Sequence, residues 1–193
     1  MLALVYMWVV WPADRMAFIA PSMTVLVLFP IVSSVLHRDS PRTLGFRIDN
    51  LGRSARELAP VTLAAAAFLV ALGLAAGNDF AVDRRVIEAA PTYPLWALLQ
   101  QYVLQGFVYR RTRESLGRPG WSAATAGVLF GIIHAPNPVL LVAGVVGGFI
   151  WCRLYERNPN LFTLALSHGI LGLFMRVALP WDWHHALAVG PRY

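Results

Sequence analysis

Apolar and polar positions along this chain alternate in blocks, not residue by residue. Apolar runs approaching the roughly 20 residues that a bilayer-crossing helix needs recur with charged stretches between them. The first runs from Met16 to about Leu36. It carries Pro21 and Pro30, which membrane helices tolerate when neighbours satisfy the freed backbone groups. Pro60 to Ala76 predicts a second span, and residues 94–109, 121–134, 139–152 and 161–179 predict four more. Met1 to Trp11 is apolar but too short to span. It reads as a half-helix, an interfacial segment or a truncated span, and it lacks the basic leader and small-residue cleavage site of a signal peptide. The pattern predicts an all-α, polytopic membrane bundle of about six spanning helices. It divides linearly into N-terminal helices with an arginine-rich loop (1–93), a core (94–179) and a short tail (180–193).

Composition sharpens this picture. Of 193 residues, 58% are hydrophobic and 13% charged, against a usual charged share of about 25%. A soluble domain of this size could not hide so many apolar side chains, and a disordered chain would not carry them. The net charge is +6, and all sixteen basic residues are arginine. Nucleic-acid binding would need those arginines on one face of a soluble fold; here they sit between apolar runs, so the expected partner is the lipid bilayer and not nucleic acid. Arg38, Arg42, Arg47, Arg53 and Arg56 follow the first span. Arg110, Arg111, Arg113 and Arg118 follow the third, and Arg153 and Arg157 the fifth. Eleven of the sixteen arginines thus fall on one side, which the positive-inside rule makes cytoplasmic. The implied location is a multi-pass position in the cytoplasmic membrane of a bacterium. The single cysteine, Cys152, excludes an internal disulfide and a cysteine-based metal cluster.

Gly127–Gly131 and Gly144–Gly148 are small-xxx-small pairs of the kind that let membrane helices approach closely. Polar groups retained in hydrocarbon are functional candidates by default, and the set is short: Gln100, Gln101 and Gln105 in the third span, His134 at the end of the fourth, Ser167 and His168 in the sixth. No Asp or Glu lies in a span interior. Gln101 and Gln105, four apart, share a helical face, and either interhelical glue or a site would use them. The fourth span, 14 residues from Trp121 to His134, is roughly 21 Å long at 1.5 Å per residue. It stops short of a full crossing at Ala135-Pro136-Asn137-Pro138, which would leave His134 and Asn137 lining a protein-walled cavity or, alternatively, an ordinary surface loop. The expectation is that Gln100 or Gln101, His134 and His168 converge on one pocket.

These residues resemble a known pattern. Phe130-Gly131-Ile132-Ile133-His134 is similar to the Phe-x-x-x-His motif of the CAAX prenyl protease and bacteriocin-processing family of intramembrane proteases. Gly147-Gly148, Arg153-Leu154-Tyr155, Asn160-Leu161-Phe162 and Ser167-His168 resemble that family's closing segment, and Leu44-Gly45-Phe46-Arg47 its approach to the core. The resemblance implies a helical membrane endopeptidase without a cofactor, acting on a membrane-anchored peptide or protein. It implies catalytic positions at Gln100, Gln101, His134 and His168. At those positions the family carries a Glu-Glu pair with an arginine four residues on, and an asparagine four residues after the last histidine. Here Gln100-Gln101 replace the glutamates, Gln105 the arginine and Gly172 the asparagine. In the family the glutamate activates water, while the histidines and asparagine support it and the developing oxyanion. A glutamine amide cannot take a proton, and losing a general base typically costs about 10²- to 10⁴-fold in rate.

The expected function is therefore that of a family member with degraded or altered catalysis. A histidine could still act as base, and two histidines without a third helix-spaced ligand make a poor metal site. Asp182, His184 and His185 read more readily as a solvated tail than as a metal cluster. The competing reading is a non-catalytic membrane scaffold or binding protein that reuses the pocket. A transporter is disfavoured, because no charged ion-coupling residue lies inside a span.

Overall fold

The structure, a computed structural model, describes residues 15–189; the Met1–Trp11 segment lies outside them. Every regular element among the described residues is helical. In chain order they are α1 (Arg15–Leu36), α2 (Leu51–Ala75), α3 (Arg84–Ala89), α4 (Tyr93–Gln101), a π-helical segment (Tyr102–Tyr109), α5 (Arg110–Leu116), α6 (Pro119–Ile132), α7 (Pro138–Arg157), α8 (Leu161–Ala178) and α9 (Trp181–His184). A short 3₁₀ turn, His185–Leu187, follows. Helices stand at all six predicted places. Three of them, α2, α7 and α8, are long and apolar enough to cross a membrane. The protein is an α-helical membrane protein.

The helix bounds correct three details of the sequence reading. First, α2 begins at Leu51 and not near Pro60. Arg53 and Arg56 occupy exposed positions on its first turns, where hydropathy falls although the helix continues. Second, α6 ends at Ile132, so His134 sits in the turn beyond it. Third, Tyr102–Tyr109 is wound as a π-helix. Its bonding is i→i+5 where an ordinary helix bonds i→i+4, a local widening inside the predicted third span.

The chain forms two compact units whose segments interleave in sequence. Among the described residues, the first comprises 15–40, Val103–Arg153 and 188–189. Here α6 and α7 pack backbone to backbone. A β-carbon added to Gly127 would lie 2.7 Å from the Val145 carbonyl oxygen, and one added to Gly144 would lie 2.9 Å from Gly131 Cα. Both small-residue pairs therefore act as a close seam. At one end of this unit Asp39, almost fully buried, is clasped by both Arg110 and Arg111. Arg111 also reaches Ser33 Oγ at 3.1 Å and Glu114 at 2.6 Å. A buried carboxylate is tolerable because two guanidinium groups meet it.

The second unit comprises Pro41–Tyr102 and Leu154–Leu187. In it α2 and α8 run parallel. Ser54 Oγ pairs with Thr163 Oγ1 at 2.7 Å, Thr62 Oγ1 with Ser167 Oγ at 2.7 Å, and Asn78 near the far end donates to the Ala178 carbonyl at 3.0 Å. α4 runs antiparallel to α8, with Pro94 against Gly169 and Tyr93 against Gly172. The loop before α2 is pinned to the start of α8. Gly45 takes φ +91°, a conformation only glycine adopts cheaply, and a β-carbon there would press to 3.1 Å on the Tyr155 ring. Its carbonyl accepts from Leu161 N at 2.9 Å. Tyr155 donates to the Leu44 carbonyl at 3.0 Å, and Asn160 donates to the Arg47 carbonyl at 2.8 Å while capping α8 through Thr163 N. The stretch before the core and the closing segment within it, both of which carried the resemblance, are thus bonded to each other.

Candidate functional site

Gln101 ends α4 and is fully buried; His168 lies midway along α8 and is 8% exposed. Their contact is the polar centre of the second unit. Gln101 Nε2 lies 3.3 Å from His168 Nδ1. The amide nitrogen donates, so Nδ1 accepts and the ring's proton belongs on Nε2. Ser167, the residue before His168, spends its hydroxyl on Thr62, whose own hydroxyl donates to the Leu58 carbonyl at 3.0 Å. Buried polar groups in an apolar bundle are tolerable when paired in this way. Gln100, the neighbouring amide, is half-buried.

His134 belongs to the first unit. Its Nδ1 lies 2.6 Å from the Phe130 carbonyl oxygen. A carbonyl only accepts, so Nδ1 carries the hydrogen, which leaves Nε2 as the acceptor of the neutral ring. The ring meets Phe130 edge to face at 4.8 Å, so the Phe-x-x-x-His spacing has a direct structural use: one helical turn lets Phe130 hold its histidine through both backbone and ring. Gln105, in the same unit, is fully buried. Asn137 follows His134 in the turn before α7. It is fully buried, its Oδ1 accepts from Leu140 N at 3.1 Å to cap α7, and its Nδ2 donates to the Ala188 carbonyl at 3.1 Å.

Tyr93 escaped the sequence reading. A β-carbon added to Gly172 would lie 2.5 Å from both the hydroxyl oxygen and Cε1 of Tyr93. The ring therefore fills the space that an asparagine at this position would need. Nothing in the sequence links residues 93 and 172; only the antiparallel packing of α4 on α8 joins them. Two Gly-x-Ser sequences occur, Gly52-Arg53-Ser54 and Gly120-Trp121-Ser122, but neither serine is set up as a nucleophile. Ser54 pairs with Thr163, and Ser122 Oγ donates to the Arg118 carbonyl at 2.9 Å. Among the described residues no cluster of three or more His, Cys, Asp or Glu side chains is placed to hold a metal ion.

As chemistry, the second unit presents a histidine bonded to an amide, next in the chain to a paired serine hydroxyl. It offers hydrogen-bond donors and acceptors but no carboxylate at the position that would activate water.

Comparison with known proteins agrees with the motif reading. Residues 83–174 match the family described as Type II CAAX prenyl endopeptidase Rce1-like. No curated protein and no solved structure matches the chain. The matched stretch runs from the cap of α3 into α8 and contains Gln100, Gln101, Gln105, His134, His168 and Gly172. Over residues 83–174, the chain is thus similar to the CAAX prenyl protease family of membrane proteins.

Proposed function

We propose that this protein keeps the peptide-binding core of a membrane endopeptidase and has lost or altered its hydrolytic chemistry. The observation that carries the reading is the Gln101–His168 pair: an amide, fully buried and bonded to the histidine, stands at a position where the family pattern calls for a carboxylate base. An amide has no proton affinity to offer a water molecule, so the general-base term is gone. Position 172 is glycine with Tyr93 filling its side-chain space, so the asparagine donor is absent as well. The expected ligand is a membrane-anchored peptide or protein segment, and the expected location is a multi-pass position in a bacterial cytoplasmic membrane.

Complete burial of Gln101 favours the second form of this reading, a non-catalytic membrane scaffold that binds a partner through the old pocket. Hydrolysis needs water at the reacting centre, and a group with no exposed surface does not supply a path for it. The test is to purify the protein from native membranes with its partners and assay cleavage of a panel of membrane-anchored peptides, alongside His134→Ala and His168→Ala. A co-purifying partner without cleavage, lost in His168→Ala, supports the proposal. Turnover that depends on His134 or His168 refutes it in favour of a histidine-based hydrolase.

A further inference from the structure

The segment after α2 (Asn78–Val86) and the end of α8 with the residues that follow it line a partly open cavity of about 180 Å³ in the second unit, away from the arginine-rich loop. That volume is well below the roughly 300–1,000 Å³ of drug-sized pockets, so a headgroup or single small molecule is the largest occupant it takes. Its polar walls are Asn78, Asp79, Asp83, Arg176, Trp181 and His184, and the rest of the lining is aliphatic. Arg176 is the unusual group. Its side chain is only 17% exposed, and its one ion pair is a long 3.8 Å approach to Asp83. No hydrogen bond of its guanidinium is present among the described residues. A guanidinium offers five donors in a fixed fork, and removing it from water without close acceptors is costly. An anionic group in the cavity would supply them.

The other walls narrow the choice. His184 is nearly fully buried, and burial holds its ring below the ordinary histidine range, so it adds no charge. Asp79 and Asp83 then outnumber Arg176. A simple anion would face two carboxylates and one guanidinium. A ligand with an anion and an ammonium a few bonds apart satisfies both signs. The position favours a lipid source. α2 ends at Ala75 and α8 at Ala178, so the cavity lies just past the ends of two spanning helices, at headgroup depth. Trp181 and Trp183 are 61% and 39% exposed beside it, with Ile87 and Phe174 exposed nearby. This is the aromatic and apolar rim expected at a membrane interface.

We propose that this cavity binds the headgroup of an ethanolamine-type zwitterionic phospholipid, with the phosphate on Arg176 and the ammonium on Asp79 and Asp83. The assignment is independent of whether the protein cleaves peptides. The test is native mass spectrometry of the full chain in detergent with phosphatidylethanolamine, phosphatidylcholine and phosphatidylglycerol offered together. Wild type retains phosphatidylethanolamine preferentially. Arg176→Gln weakens that retention by about tenfold or more, the loss expected for charge-assisted hydrogen bonds. Asp79→Asn combined with Asp83→Asn abolishes the preference over phosphatidylglycerol; asparagine at 83 keeps the acceptor that caps α3 through Val86 N. Arg84→Gln, on a side chain 90% exposed and outside the cavity, leaves retention unchanged. Should Arg176→Gln fail to fold, Asp79→Asn alone, on an exposed side chain, still tests the ammonium contact. Equal retention of the three lipids overturns the proposal, as does equal binding of phosphatidylglycerol. Competition by free phosphoethanolamine as effective as the lipid overturns the lipid source and leaves a soluble zwitterion as the ligand.

Discussion

Tyr93 and Gly172 exclude any side chain from each other's space. A β-carbon at 172 would stand 2.5 Å from the Tyr93 hydroxyl and 2.8 Å from Cζ, inside van der Waals contact, so any side chain at this position must displace the Tyr93 ring. Replacing the family's asparagine here is not a change that a reverse substitution alone can undo.

The first prediction follows. Gly172→Asn destabilises the protein by roughly 1–3 kcal/mol, the usual cost of overpacking a formed contact. Tyr93→Ala in the same chain recovers part of that loss, because the two positions touch and their effects are not additive. Thermal unfolding in detergent of the two single variants and the double variant measures the coupling. Additive losses would mean that the two side chains do not compete for space.

A second prediction concerns the buried pair. Gln101→Leu leaves His168 without the amide that fixes Nδ1 and costs about 1–3 kcal/mol for the unsatisfied polar group. Restoring the family's residues as Gln100→Glu, Gln101→Glu, Gln105→Arg and Gly172→Asn yields little cleavage while Tyr93 is present, because its ring occupies the space that the asparagine needs. Adding Tyr93→Ala raises cleavage of membrane-anchored peptides above that of the fourfold variant. Equal activity with and without Tyr93→Ala removes Tyr93 from the account.

The helices were legible in the sequence because each is a long apolar run, and the polar candidates were legible because hydrocarbon makes every retained amide and imidazole conspicuous. What escaped depends on pairing. Leu51–Pro60 reads as loop by hydropathy because Arg53 and Arg56 interrupt it, yet the helix holds there, since Ser54 faces Thr163 and the arginines face outward. The π-helical winding at Tyr102–Tyr109 has no signal in an apolar run. Arg176 was absorbed into the sixth apolar run as its last turn, and only the cavity makes it notable. The use of Asn137 could not be read either: its amide caps α7 through Leu140 N and donates to the Ala188 carbonyl, a pairing that the sequence does not show.

The seam of the first unit gives a third prediction. A side chain at Gly131 would meet the Leu141 carbonyl oxygen at 2.7 Å and the Val145 nitrogen at 3.0 Å, both backbone atoms that cannot turn aside. Gly131→Val must push α6 from α7 and costs more than Gly120→Val, where an added β-carbon meets nothing within 4 Å. Unfolding of the two variants in one detergent gives the comparison. Equal losses would show that close helix approach contributes nothing here.

A fourth prediction is electrostatic. Hydrogen bonding to Arg47, aided by the charge of Arg42, lowers the Asp49 carboxyl to about 2. Its folded value is therefore below its unfolded one, so its contribution is present above about pH 4 and is lost as pH falls toward about 2. All three groups are on the surface, so the effect is small and screened by salt. Asp49→Asn flattens the change in stability across that acid range relative to wild type, and high salt narrows the difference. An unchanged slope in Asp49→Asn would assign the acid sensitivity elsewhere.

The last prediction is topological. Helix α2 has 25 residues, about 37 Å at 1.5 Å per residue, enough to carry the chain across a bilayer core of about 30 Å. Arg47 precedes it among the basic residues 38–56, while Asp79 follows it in a loop where acids offset Arg84 and Arg85. The positive-inside rule then puts the two on opposite sides. The single native cysteine, Cys152, is fully buried, so it contributes little background to a membrane-impermeant thiol reagent. Arg47→Cys and Gly117→Cys label only after the cytoplasmic face is opened, and Asp79→Cys labels in intact cells. Gly117 suits the probe because an added β-carbon meets nothing within 4 Å, although its φ of +67° makes cysteine there somewhat strained, so Arg118→Cys next to it serves as a duplicate. If Arg47→Cys and Asp79→Cys label from the same side, α2 does not cross, and the cavity beyond the ends of α2 and α8 loses its position at the headgroups.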